Sequence, residues 1–212
     1  PLLPRYAHLD ALPSFFIVGG FVFTRLSMPL LRDLLANASE EEALRSSMLV
    51  CEAQRWREHL EEEVLVLLRV LCHEVNEDVN AEAALRIVTH VNAMPVASLT
   101  ALVRCTMHQI CGGSARHLRF SFRVDGKSKF MGACRSEVLV IDGLLESDAE
   151  ILQQNGIPAP FSHDLLDAYR ASVPRDNALT EGWCAVMRSR SAGEHCRKRT
   201  RDSISAPAPV FA

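Results

Sequence analysis

The sequence lacks long apolar runs and lacks an excess of charge of either sign. Its longest apolar run, Phe15 to Phe23, contains two glycines and is well short of the roughly 18–20 residues that a membrane-spanning helix needs. The formal net charge is −3, which provides no electrostatic attraction for nucleic acid or an anionic membrane surface. We therefore expect neither a nucleic-acid partner nor a membrane span.

The chain also lacks a cysteine framework. Its seven cysteines are an odd number without regular spacing, a pattern typical of buried thiols in a reducing compartment and not of a disulfide scaffold. We expect an intracellular, reducing location and leave open whether it is an organelle (chloroplast or mitochondrion) or the nucleus. The sequence begins with Pro1 and not Met, which we interpret as a cut edge with targeting information upstream.

A serine-hydrolase site is not indicated. Such a site needs a nucleophilic serine near oxyanion-hole amides, with a histidine and an aspartate to activate it. The stretch 112–114 is a Gly-flanked serine, and 162–164 reads Ser-His-Asp, but residues adjacent in sequence point apart in space. We interpret the first as a helix stop and the second as a helix start, and we expect no catalytic residue.

A metal site is not indicated either. Cys105, His108 and Cys111 share one predicted helix, whereas a structural zinc site takes four ligands, usually from two segments. An ordinary helix that contains Cys and His explains the pattern, so we expect no metal and no cofactor.

The patterning predicts an α+β fold, in which helices pack on a small antiparallel or barrel-like sheet. Capping boxes that begin at Ser39 and Ser147 predict helices over about 40–59 and up to Gly156, and Ser98 is a good N-cap for a helix to Gln109. The predicted strands cover 14–24 with a bend in the middle, 64–71, 85–91, 118–124 and 138–141; short helices are predicted at 30–35 and 163–171. We divide the chain into a lead-in (1–12), one domain (13–172) and a disordered basic, Pro-rich tail (173–212).

One candidate site stands out, the Gly19-Gly20 bend that runs directly into an apolar strand. Inward-turned amides in such a bend can bind a carboxylate, and the strand edge after it can pair with an extended peptide. The helix 98–109 would complete the groove. A core strand with a glycine bulge explains the same residues, and both interpretations stay open. The candidate peptide- or carboxylate-binding residues are Val18, Gly19, Gly20, Phe21, Val22, Phe23 and Leu102. If the groove interpretation holds, Gly20→Glu or Phe21→Asp abolishes oligomer contact or peptide capture while the fold survives.

Several blocks of the sequence resemble a known family. The stretch 14–24, Ser-Phe-Phe-Ile-Val-Gly-Gly-Phe-Val-Phe-Thr, is similar to the opening of the last PDZ domain of plant-type Do-like (Deg) serine proteases. Similar blocks follow in the same order at 64–76, 87–99 and 138–142, and the closing block at 151–165 contains Ile-Leu, Ile-Pro, Ser and Asp-Leu. The resemblance spans about 13–166.

The resemblance implies a PDZ-like fold and a role outside the chemistry of cutting. The family's catalytic triad and its Gly-Asn-Ser-Gly-Gly block are absent from this chain, so no catalytic residue is carried over. We expect a non-catalytic module of a Do-like serine endopeptidase that mediates oligomer assembly, regulation or peptide docking. Its partners would be copies of itself, upstream PDZ and protease domains, and protein or peptide ligands. The alternative is a stand-alone peptide-binding scaffold that has no protease domain.

Overall fold

A computed structural model of the chain describes residues 3–4, 13–37, 49–79, 84–112, 115–123 and 135–172. Within these ranges seven antiparallel strands form one sheet, and helices pack on it. The α+β expectation of an antiparallel sheet with packed helices is thereby confirmed. The predicted tail at 173–212, most of the lead-in and the capping box at Ser39 lie outside the described residues.

Six of the strands form an antiparallel sheet in chain order, and a seventh, short strand pairs with one of them. They are β1 (Phe15–Val18), β2 (Phe21–Arg25), β3 (Leu65–Val70), β4 (Arg86–Val91), β5 (Met94–Pro95), β6 (His117–Phe122) and β7 (Arg135–Val140). The order across the sheet is β1-β2-β3-β4-β6-β7, and β5 pairs with β4. The sheet order makes β1 and β7 the outer strands.

The helices are close to where the patterning predicts them. They are α1 (Met28–Ala36), α2 (Leu99–Cys111), α3 (Leu144–Gln154) and α4 (Leu166–Ser172), with short 3-10 turns at Glu74–Asn76 and His163–Leu165. Residues 49–54 are also helical and are the described part of the helix predicted at 40–59. Ser98 caps α2 as predicted, since its side chain accepts a hydrogen bond from the amide of Ala101.

The second capping box was wrong. The helix begins at Leu144 with Gly143 as its N-cap residue, four positions before the predicted N-cap Ser147. Ser147 lies inside the helix and donates its hydroxyl to the carbonyl of Gly143 at 3.0 Å. The earlier start turns Asp148 into an interior residue of α3, where it is completely buried.

Aromatic side chains on the inner face of the sheet form the centre of the core. Phe21, Phe23 and Phe120 are completely buried, and their ring centroids lie 5.0–6.0 Å apart. The alternation of strands β2 and β6 places these residues on one face of the sheet.

The turn between β4 and β5 contains a strained alanine. Asn92 and Ala93 both have positive φ, 45° and 66°, the backbone that two-residue hairpins require and that glycine and asparagine adopt most easily. Asn92 secures the turn, because its side chain accepts from the amide of Arg119 at 2.7 Å and donates to the carbonyl of His117 at 3.0 Å.

We expect Ala93→Gly to stabilise the domain by about 1 kcal/mol, because relief of the left-handed strain exceeds the added entropy of the unfolded chain. Urea unfolding at neutral pH measures the effect. The control is Ala101→Gly within α2, which is expected to destabilise by about 1 kcal/mol. Loss of stability in both variants would contradict the explanation.

Candidate functional site

The bend predicted at Gly19-Gly20 is a two-residue hairpin turn that joins β1 to β2. Both glycines have positive φ, 56° and 78°, and Val18 pairs with Phe21 on either side of the turn. A Cβ atom on Gly20 would overlap the carbonyl oxygen of Leu71 and the side chain of Asn76. Glycine is therefore required here for backbone conformation and for space alike.

The carboxyl group of Asp148 lies against the amides of this turn. Its Oδ1 accepts the amide of Gly19 at 2.6 Å, and the amide of Gly20 also bonds the carboxyl. Asp148 is completely buried, and its Oδ2 has no hydrogen-bond partner among the described residues. Burial raises the pKa of Asp148 to about 8, although the two amide bonds act to lower it. The group is therefore mostly protonated at neutral pH.

Asn76 holds the turn from the other side. Its Nδ2 donates to the carbonyl of Gly19 at 2.7 Å and to that of Leu71 at 2.8 Å. The carbonyl of Gly20 accepts the amide of Leu71 at 2.8 Å. The amides and carbonyls of both glycines are thus bonded within the chain, so the inward amides predicted to bind a peptide carboxylate bind the chain's own carboxyl group.

The strand predicted to pair with a peptide has both edges in the sheet, since β2 is bonded to β1 on one side and to β3 on the other. The outer edge of β1 is bonded too. The amide of Ile17 donates to Pro160 at 2.6 Å, and the amide of Ser162 donates to Phe15 at 3.0 Å.

The predicted site residues lie together, but inside the domain. Helix α2, which carries Leu102, contacts β1 and β2. All are buried except Val22, which is half-buried; the set is Val18, Gly19, Gly20, Phe21, Val22, Phe23 and Leu102. Peptide binding by these residues stays a prediction, and an extended peptide could pair with β2 only if β1 left it.

The same geometry reverses the expected outcome of two substitutions. Gly20→Glu places a side chain where the Leu71 carbonyl and Asn76 already lie, and Phe21→Asp buries a carboxylate at a completely buried position. Both are expected to unfold the domain, so neither isolates a binding function.

Sequence reasoning missed Asp148 and Asn76, although a signal for Asp148 exists. The residue lies four positions after Leu144, three before Ile151 and four before Leu152, all buried. A carboxylate on the apolar face of a helix indicates a buried, bonded acid, and the capping-box interpretation concealed that pattern. Asn76 has no such periodic signal, although it ends the 64–76 block that resembles the family.

The Ser-His-Asp stretch has a structural role, as predicted from its spacing. Ser162 Oγ accepts the amide of Phe15 at 3.1 Å, and Asp164 accepts the hydroxyl of Ser14 at 2.5 Å. His163 is exposed. Partial burial acts to raise the pKa of Asp164, but the hydroxyls of Ser14 and Ser162, the backbone amide of Asp164 and the charge of Arg25 together lower the pKa below its usual value. These residues attach the end of the domain to β1.

The other stretch, 112–114, begins with Gly112 as the C-cap of α2, and its remaining residues lie outside the described ranges.

A cavity of about 290 Å³ lies between residues 52–63 and β4. Its charged groups are paired with one another. Arg55 bonds Glu52 at 3.0 Å, Glu58 at 3.2 Å and Glu62, and Arg123 bonds Glu52. Because each of these charged groups already has an ion-pair partner, the cavity does not indicate a ligand.

Comparison with known proteins agrees with the resemblance to a PDZ domain of Do-like proteases. A family model described as PDZ domain matches residues 4–164. Among curated proteins the chain is similar to Protease Do-like 2, chloroplastic, of Arabidopsis thaliana, at 28% identity over 181 residues. The alignment covers 82% of this chain and 26% of that relative, so the chain spans about a quarter of the relative's length. Of the helices in the described ranges, none combines the length and the apolarity needed to cross a bilayer.

Proposed function

The chain belongs to the PDZ domain family, and from that membership we propose that it is the non-catalytic interaction module of a Do-like serine endopeptidase, acting in oligomer assembly and regulation. The similarity to a Do-like protease over 82% of the chain supports the parent enzyme. The proposal assigns the cutting chemistry to a part of the parent protein outside this chain.

The paired edges of β2 favour assembly over capture of a free peptide in the predicted groove. Recognition by strand addition requires an unpaired edge beside the binding pocket. Here β1 lies along β2, and the turn amides hold Asp148. This occupied strand and turn are the single observation that carries the choice of assembly.

The relative's name also bears on location. That protein is described as chloroplastic, and we propose that this chain likewise works in an organelle. Fractionation of cells that express the complete protein tests this point separately from the assembly role.

The alternative function is a stand-alone peptide-binding scaffold. The two differ in what precedes residue 1 in the complete reading frame, because a trypsin-like domain upstream supports the protease module and a natural Met start at this point supports the scaffold.

We expect the 212-residue chain to self-associate with increasing concentration and to cleave no unfolded protein. Sedimentation velocity over a wide concentration range measures the association, and digestion of casein with and without a serine-directed fluorophosphonate measures cleavage. A chain that stays monomeric throughout contradicts the assembly role. Cleavage that the fluorophosphonate abolishes contradicts the non-catalytic assignment.

A further inference from the structure

Strand β7 has one edge to which no other described strand is hydrogen-bonded, although the 3-10 turn Glu74–Asn76 contacts β7. It lies at the end of the sheet and pairs with β6 alone among the described strands. The amide of Ile141 donates to the carbonyl of Arg116 at 3.0 Å, so alternate residues back along β7 direct their backbone groups toward β6. The backbone groups of Ser136, Val138 and Val140 therefore point outward.

The outer edges of the sheet differ in this respect. The edge of β1 is bonded to residues 160–162, whereas no hydrogen bond from a described residue reaches the outward backbone groups of β7, which lie beside exposed apolar side chains. Val138 is 40% exposed and Val140 is 50% exposed. An open edge with apolar side chains is a place where another strand adds to the sheet.

The sequence of β7 is complementary to itself in the antiparallel sense. When two copies pair with Val138 opposite the partner's Val138, Ser136 lies opposite the partner's Val140. The residues with outward backbone groups then face one another in three pairs, each of which exchanges two hydrogen bonds. All outward groups of Ser136, Val138 and Val140 are satisfied in this one register.

Charge is compatible with the same register. Glu137 lies on the inner face opposite Phe120 and is 4.0 Å from Arg86, so its charge is compensated within the domain. In this register position 137 lies opposite the partner's position 139 and position 135 lies opposite position 141, so no like charges lie opposite each other.

We propose that β7 is a self-association edge, at which two copies of this chain pair antiparallel about Val138 and continue the sheet across a twofold axis. The inference rests on the proposed assembly role and specifies its surface.

In the proposed pairing Val138 lies opposite Val138 of the second copy, so one substitution in the full chain changes both sides of the contact. V138K and V138E each place like charges opposite each other, and each is expected to weaken self-association roughly tenfold or more. A mixture of equal amounts of V138K and V138E is expected to recover it, because opposite charges then meet at the axis. Sedimentation equilibrium measures the three samples. The matched control is L35K on α1, where Leu35 is 42% exposed and the association is expected to be unchanged.

Each outcome decides the proposal. Recovery in the mixture, with both single variants weakened and folded by circular dichroism, supports it. Wild-type association that V138K and V138E leave intact overturns the β7 edge but not the assembly role, whereas a wild-type chain that never associates overturns both. Weakening without recovery overturns the register. Slow hydrogen exchange at the amides of Ser136, Val138 and Val140 in dilute, monomeric protein would mean that the chain covers its own edge, and would also overturn it.

Discussion

Replacement of Gly20 by alanine is expected to destabilise the domain by about 3 kcal/mol or more. About 1–2 kcal/mol comes from a left-handed backbone at an L-residue, and the remainder comes from overlap between the new methyl group and its neighbours. These neighbours are the carbonyl of Leu71 and the amide of Asn76. The Leu71 carbonyl is backbone and cannot rotate away, so the overlap is relieved only by movement of the strand itself.

Gly156→Ala is the matched control. Gly156 has φ 64°, and a Cβ atom there would meet nothing within 4 Å. This variant therefore carries the conformational cost alone, about 1–2 kcal/mol. Urea unfolding of the two variants separates the free-energy cost of the left-handed backbone from the cost of steric overlap. Equal losses of stability in the two variants would mean that the turn moves to relieve the overlap at no cost. The contacts with Asn76 and Leu71 would then add nothing to the requirement for glycine.

The second large effect concerns pH. The wild-type domain is expected to lose stability as pH rises, and Asp148→Asn is expected to remove this loss. The pKa of Asp148 is raised from 3.8 to about 8 in the folded state by burial, so the folded chain binds more protons than the unfolded chain between these two values. Stability therefore falls as pH rises across that window and levels off above it. The contribution between pH 5 and pH 9 is on the order of 4 kcal/mol.

Asp148→Asn retains an oxygen that can accept the amide of Gly19 and has no charge to bury. We expect this variant to match the wild type at pH 5 within about 1 kcal/mol and to exceed it in stability at pH 9. Urea midpoints at several pH values measure the difference in stability between the two chains, in which contributions from groups common to both chains cancel.

Asp148→Leu is the control for the hydrogen bonds. It leaves the amides of Gly19 and Gly20 without their acceptor, and it is expected to be destabilised at every pH. Parallel pH profiles for the wild type and Asp148→Asn would contradict the assignment of a neutral, buried Asp148.

The strands and the central helix could be predicted because each has a local cause. The alternation at 118–122 identifies β6 and its buried phenylalanines, and Ser98 marks the start of α2. The two glycines mark the turn between β1 and β2. Periodicity and capping act within a few residues, so a single sequence contains the information.

The state of the candidate site depends on contacts between distant residues. Asp148 and Gly19 are separated by 129 positions, and Asn76 and Gly19 by 57. Whether inward amides are free or already bonded is decided by these contacts, which no local pattern contains. The same reasoning explains why the paired edges of β2 could not be foreseen from its own residues.

The attachment of residues 160–162 to β1 has a mechanical consequence. Ser14 precedes β1 and Asp164 follows the closing segment, and these two side chains are hydrogen-bonded to each other. A pulling force applied between these two residues would therefore act at one corner. The force would break the Phe15–Ser162 hydrogen bond first and the Ile17–Pro160 hydrogen bond next. Because the bonds would break one at a time, the phenylalanine core would carry little of the force. We infer that tension would detach the closing segment and expose the outer edge of β1 before the sheet itself separated.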